Sequence, residues 1–217
     1  MISKRIKTIA SLIEPDENVL DVGTDHAFLP VVLKKSGHRG QIRASELRKG
    51  PRLNAIRNLQ ESGIDDVEVY LTDGVNGIDF PADVVVIAGM GYGTVTGIIA
   101  QNREYFRNCR IIIQINSEVD KLRRWLMENG FMIENELMIR DYKYYEILVV
   151  REGEMNLDEM EIRFGPILLR EKSEVFRNCY SQRIEKLESI IKTLPENHED
   201  IGKLEEQINI IRKALAD

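Results

Sequence analysis

Asp21-Val22-Gly23-Thr24-Asp25-His26-Ala27 sets two carboxylates and an imidazole around a single glycine, directly after an apolar run. Glycine there lets the chain turn tightly and leaves room for a ligand where a Cβ would block it. Paired carboxylates repel a pyrophosphate and attract a sulfonium or an amino-acid ammonium. The G-x-G-x-x-G dinucleotide fingerprint is absent, because Asp25 stands where its second glycine would be. Asp25 could also serve as the cap of the helix that follows.

Glu46 comes about twenty residues after Gly23, the separation at which an acid accepts both ribose hydroxyls of an adenosine cofactor. Dehydrogenases and methyltransferases share that feature, so it indicates adenosine and not a reaction. Asp73-Gly74 closes a third apolar run. An acid there can accept a hydrogen bond from an adenine amino group, although Asp-Gly is also an ordinary turn signal. Ala88-Gly89-Met90-Gly91-Tyr92-Gly93 places three glycines in five positions, exposing backbone N–H and C=O groups where a methyl donor and its acceptor would meet. A polar-Pro-Pro-aromatic motif, usual at this point in amino-directed nucleic-acid methyltransferases, is missing. A ring nitrogen is therefore the better acceptor. Gln114-Ile115-Asn116-Ser117 supplies two amides that can read a base edge, or Asn116 or Ser117 can cap the next helix. The ligand expected from these segments is S-adenosyl-L-methionine. Its candidate contacts are Asp21, Gly23, Thr24, His26, Glu46, Asp73, Gly74, Ala88, Gly89 and Met90.

Positioning these residues requires a particular order of elements. Lys4 to Ile13 has apolar residues at helical spacing, and Asn18 to Val22 reads as a buried strand. Further strands are expected at Gln41–Ser45, Val67–Leu71, Asp83–Ala88 and Arg110–Gln114, with helical stretches between them. Strands alternating with helices of roughly 10–15 residues build a parallel sheet covered on both faces. Phe131–Ile139 and Tyr144–Val150 lie too close together for a helical crossover, so a hairpin with one antiparallel strand is expected. The fold class is α/β, a Rossmann-like methyltransferase sheet. The pattern changes near Gly153, dividing the chain into residues 1–153 and 154–217. Beyond it, Ile184, Leu187, Ile190, Ile191 and Leu194, then Ile201, Leu204, Ile208, Ile211 and Leu215, form two apolar helical stripes. A coiled-coil-like antiparallel helical hairpin, joined near Pro195-Glu196-Asn197, follows from them.

Composition narrows the function further. The 217 residues suffice for a full domain and a smaller unit, and no apolar run approaches the length of a membrane span. The start lacks the features of a secretory signal, so a cytoplasmic protein is expected. Cys109 and Cys179, with His26, His38 and His198, show no metal-ligand spacing, and no metal is expected. A net charge of -6 argues against a uniformly basic nucleic-acid binder but permits local basic patches. Candidate patches are Lys4, Arg5 and Lys7; Arg48, Lys49 and Arg52; Lys121, Arg123 and Arg124; and, in the tail, Arg170, Lys172, Arg177, Arg183 and Lys186.

Taken in order, the string from Asp21 to Pro30, Glu46 with Lys49-Gly50-Pro51, Asp73-Gly74 and Ala88-Gly89-Met90-Gly91 resemble the bacterial tRNA adenine-22 N1-methyltransferases, the TrmK family. Asp141 to Ile147 is similar to that family's pattern as well. Tyr92 replaces the glycine, and Ile115 the proline, that family members commonly carry at those positions. The resemblance implies methyl transfer from S-adenosyl-L-methionine to N1 of an adenine in the D-loop region of tRNA. It implies a helical tail too, and leaves oligomeric state open. In this reading Asp25 stabilises the positive charge passed to the adenine, and Asn116 reads the base edge. Two rivals remain at this point. One is a methyltransferase of the same fold acting on another RNA, a protein or a small molecule; the other is a non-catalytic RNA-binding adaptor. A dehydrogenase is more distant, given the lone glycine.

Overall fold

The computed structural model describes residues 2–195 and 198–216. Its elements are α1 (Lys4–Ala10), β1 (Val19–Val22), α2 (Phe28–Lys35), β2 (Ile42–Glu46), α3 (Lys49–Glu61), β3 (Glu68–Leu71), β4 (Val84–Met90), α4 (Tyr92–Gln101), α5 (Arg103–Phe106), β5 (Arg110–Ile115), α6 (Val119–Glu128), β6 (Phe131–Asp141) and β7 (Lys143–Glu152). Four helices follow: α7 (Glu159–Phe164), α8 (Pro166–Glu171), α9 (Glu174–Thr193) and α10 (Ile201–Leu215).

The strands form one seven-stranded sheet in the order β3-β2-β1-β4-β5-β7-β6. Strands β1 to β5 are mutually parallel, and β7 runs antiparallel to both β5 and β6. Successive side chains leave opposite faces of a strand. Leu20 and Val22, Val85 and Ile87, and Ile111 and Ile113 accordingly enter a core covered by α4, α5 and α6. Val19, Val84, Val86 and Ile112 enter the opposite one, beneath α1, α2 and α3. Apolar burial on both faces explains why these strands read as nearly unbroken hydrophobic runs. The expected α/β sheet with its terminal antiparallel hairpin is present.

Chain order reverses between β1 and β4, which opens a crevice beyond their carboxyl ends. The strand-end segments are also tied to one another. Backbone N–H groups of Gly23 and Thr24 both donate to the Ser45 carbonyl, at 2.8 and 3.1 Å. The buried Ser45 hydroxyl donates onward to the Gly74 carbonyl at 2.7 Å. Loops after β1, β2 and β3 are thereby fixed around one strand-end serine.

The tail packs around Phe164, Leu168, Phe176, Leu187, Ile208 and Ile211, together with Met138 from β6. Helices α9 and α10 run antiparallel, with Arg177 donating to the Leu215 carbonyl and Arg212 paired with Glu188. Leu168 and Leu169 lie in the separate short helix α8, because Lys172 adopts a left-handed conformation that ends it. Of the expected joint at Pro195-Glu196-Asn197, Glu196 and Asn197 lie outside the described residues.

Candidate active site

Carboxylates and glycines from four strand ends converge on two adjoining cavities. One, of about 350 Å³, is walled by Glu46, Asp73, Gly74, Met90 and residues of the β1 loop. The other, of about 320 Å³, is walled by Asp21, Thr24, His26 and Phe28. Gly23, Asp25, Ala88 and Gly89 border both, so the two are halves of one crevice. All the residues expected to contact the cofactor lie on its walls.

Local geometry explains the residue types. Gly23 has φ +78°, which a side-chain-bearing residue adopts only at a cost. Gly89 also has φ +78° and sits at an irregularity in the β4–β5 register between Ala88 and Met90. A bulge of this kind re-aims backbone groups toward the crevice. Nothing lies within 4 Å of a Cβ placed on Gly91 or Gly93, so neither glycine is forced by packing. Glu46 is 7% exposed and lines the cavity; its Oε1 accepts the Arg48 backbone N–H at 3.0 Å, and its Oε2 accepts no hydrogen bond among the described residues. Asp73 is exposed, and its carboxylate has no hydrogen-bond partner among the described residues.

Asp21 is 8% exposed, and burial pushes its carboxyl up to about 6, with the neighbouring Thr24 hydroxyl opposing the rise. The Thr24 hydroxyl is itself buried without a hydrogen bond of good geometry. An unsatisfied buried hydroxyl beside an uncompensated carboxyl is costly and signals a polar ligand. A cationic amino acid satisfies both groups, so the residues present fit S-adenosyl-L-methionine. Asp25 does not cap α2, whose N-cap is Ala27 at φ 50° with no side-chain hydrogen bond. Its half-exposed carboxylate borders both cavities, 3.6 Å from the His26 Nε2. His26 stacks on Phe28 with ring centroids 5.2 Å apart.

The amides after β5 behave differently from one another. Gln114 is fully buried; its Oε1 accepts from Arg5 at 2.7 Å and its Nε2 donates to the Ile115 carbonyl. It is therefore a structural bracket and not a base reader. The Asn116 side chain caps no helix; its Nδ2 donates to the Gly89 carbonyl at 2.8 Å and its Oδ1 accepts no hydrogen bond among the described residues. Asn116 lies outside the two cofactor cavities but is anchored to their rim.

Several surface cations are committed elsewhere. Arg5 turns inward onto the wall of the Asp21 cavity, 5.1 Å above the Tyr145 ring, and is not part of a free basic patch. No sequence signal marked it, since Lys4, Arg5 and Lys7 read as one cationic helix face. Arg52 donates to the Val69 carbonyl, Lys121 pairs with Glu118, and Arg124 pairs with Glu159. Arg123 is fully buried, bonded to Glu136 at 2.7 Å and to Glu146. Burial opposes its charge, but Glu146 and Glu136 outweigh that and raise its pKa. Arg123 also donates to the Ile162 carbonyl, and Glu136 accepts the Ile167 N–H, so the ion cluster pins the tail to the sheet. Among the described residues there is no metal-ligand cluster, and no helix is long and apolar enough to cross a membrane.

The family model for TrmK, tRNA (adenine(22)-N(1))-methyltransferase, matches residues 19–213. The Bacillus subtilis tRNA (adenine(22)-N(1))-methyltransferase is 27% identical, over 99% of this chain and 97% of its own length. A Streptococcus pneumoniae structure solved with S-adenosyl-L-methionine is 35% identical with a TM-score of 0.87, covering 100% of both chains. M. capricolum TrmK, solved with S-adenosyl-homocysteine, is 26% identical with a TM-score of 0.82 and covers 99% of this chain and 98% of its own. A match across nearly the whole length, with the strand-end crevice in place, makes this chain a member of the tRNA (adenine(22)-N(1))-methyltransferase family.

Proposed function

We propose that the protein transfers a methyl group from S-adenosyl-L-methionine to N1 of adenine 22 in tRNA. The observation that carries this is the single crevice bordered by Asp21, Glu46, Asp73 and Gly89 at the sheet's topological switch point. When bound, the cofactor supplies an electrophilic methyl group on a cationic sulfur. Glu46 accepts the ribose hydroxyls and Asp73 the adenine amino group. Asp21 and Thr24 take the ammonium end, with Gly23, His26, Gly74, Ala88, Gly89 and Met90 shaping the walls.

The chain's main task is orientation. Holding the acceptor nitrogen in line with the methyl carbon at near-attack distance is worth up to several kcal/mol. N1 of adenine carries its own lone pair, so no base has to remove a proton from it. Positive charge moves onto the adenine as the bond forms, and the Asp25 carboxylate is placed to stabilise it. Asn116, held by the Gly89 carbonyl, presents Oδ1 to the amino group beside N1.

We further assign residues 1–153 to cofactor binding and chemistry and residues 154–217 to holding RNA, in the cytoplasm where tRNA is found. The test is incubation with unmodified tRNA and methyl-labelled cofactor, followed by mass-spectrometric mapping. One methyl on N1 of adenine 22, absent when that adenine is replaced by guanine, is the expected result. Label on another base, or on protein, would refute it. In the same assay Asp25→Ala is expected to lower turnover with cofactor affinity preserved; undiminished turnover removes its assigned role.

A further inference from the structure

The cofactor crevice accounts for the rim of the sheet but leaves a second sizeable cavity unassigned. About 600 Å³ in volume, it lies between the end of β5, the start of β7 and the tail helices. We infer that this cavity is the pocket for the acceptor adenine nucleotide once it has left the tRNA stack, and that the tail supplies one of its walls. The inference deepens the function proposed above and rests on it.

Adjacency is the first argument. Asn116 lines this cavity, and its side chain is bonded to the carbonyl of Gly89, which borders both halves of the cofactor crevice. Tyr145 lines it too, and carries on its ring the Arg5 guanidinium that walls the crevice. This cavity and the crevice share no lining residue, and the Asn116–Gly89 hydrogen bond joins their walls, which puts a base held here beside the cofactor crevice.

Chemistry is the second. Tyr144 and Tyr145 bring rings to the cavity on which a flipped base can stack, while the Tyr180 ring at its wall is packed against Phe164 and Phe176. The Tyr144 hydroxyl is buried with no hydrogen-bond partner among the described residues, a cost that a bound polar group removes. From the tail come Gln207, an amide able to bond a base edge, and Arg183, exposed with no ion pair among the described residues. An unpaired guanidinium at the mouth suits the phosphate of the everted nucleotide. Of the acids on the wall, Glu118 pairs with Lys121 and Glu146 shares Arg123 with Glu136, while Asp120 has no ion pair among the described residues. Pockets of this volume fall within the usual range for small ligands.

Coupling between the base and the wall tests the idea. tRNA binding is measured for the wild type, Tyr144→Phe and Gln207→Ala, using normal tRNA and tRNA abasic at position 22. S-adenosyl-homocysteine affinity is measured alongside as a check on folding. For the wild type we expect removal of the base to weaken binding by about tenfold, the scale of one or two hydrogen bonds with stacking. Each variant should bind normal tRNA several-fold more weakly, yet lose less than about twofold further with abasic tRNA. Independent, multiplying losses in both variants would overturn the pocket, as would variants that bind normal tRNA as the wild type does. If the wild type methylates adenine 22 but the losses multiply, only the pocket falls. If it does not methylate that adenine, the proposed function and the pocket fall together.

Discussion

Asp21 shows how a residue's environment sets its use. Its carboxyl is raised from 3.8 to about 6 by burial. Between those values the folded protein holds more proton than the unfolded chain, so stability falls as pH rises through this interval and levels off above it. The full cost is about 3 kcal/mol. A bound ammonium offsets that cost only when Asp21 is ionised. Affinity for S-adenosyl-homocysteine is therefore expected to rise from pH 5 to about pH 7, with proton release near pH 6, and Asp21→Asn should flatten the profile. Calorimetry in buffers of different ionisation enthalpy reads both quantities; a flat wild-type profile would contradict the assignment. At this scale the sequence led to acids and glycines that line one crevice, because the ends of strands in a doubly wound sheet lie side by side. It could not separate Gln114, turned into the core, from Asn116, turned to the rim, since both are amides two residues apart. Nor could it show Arg5 folding inward, because that depends on contacts with Gln114 and Tyr145 more than a hundred residues away in the chain.

Among elements, the parallel strands were legible from their apolar runs and the hairpin from its short connection. The Arg123–Glu136–Glu146 cluster was not. Arg123 lies in α6 between Leu122 and Arg124, and a cation among cations reads as surface until β6 and β7 bring two carboxylates to it. Gly165 is needed at the same junction: it has φ +91°, and a Cβ there would sit 2.5 Å from Glu136 Oε2 and 2.8 Å from Arg123 Nη2. Removing the cation strands two buried carboxylates. Arg123→Met is thus expected to destabilise the protein by about 3–5 kcal/mol in urea unfolding. Lys121→Ala, in the exposed Lys121–Glu118 pair of the same region, should change stability by no more than about 0.5 kcal/mol. Equal effects would mean that the cluster does not anchor the tail.

For the molecule as a whole, the net charge of -6 leaves RNA binding to local cations. The cluster after β5 is engaged with the protein itself. Of the cluster after β2, Arg52 is engaged and Arg48 stays exposed, 3.9 Å from Glu46, so Arg48, Lys49 and the tail cations are the candidate surface. Arg170 and Lys186 are exposed and unpaired among the described residues. Replacing both with alanine should weaken tRNA binding and lower the slope of log affinity against log salt by about two, one for each phosphate no longer neutralised. An unchanged slope would move the RNA surface elsewhere. The tail's helical character was visible in its stripes of isoleucine and leucine. Its packing against Met138 and the ion cluster was hidden, since packing partners leave no periodicity in a sequence.

Titration of the intact protein with S-adenosyl-homocysteine bears most directly on the central claim that strand-end acids cradle an adenosine cofactor. Wild type should bind it in one-to-one stoichiometry, and Glu46→Ala should weaken binding by about tenfold or more, the scale of missing hydrogen bonds to a buried carboxylate. Binding undiminished by Glu46→Ala, or no binding by the wild type, would contradict the account.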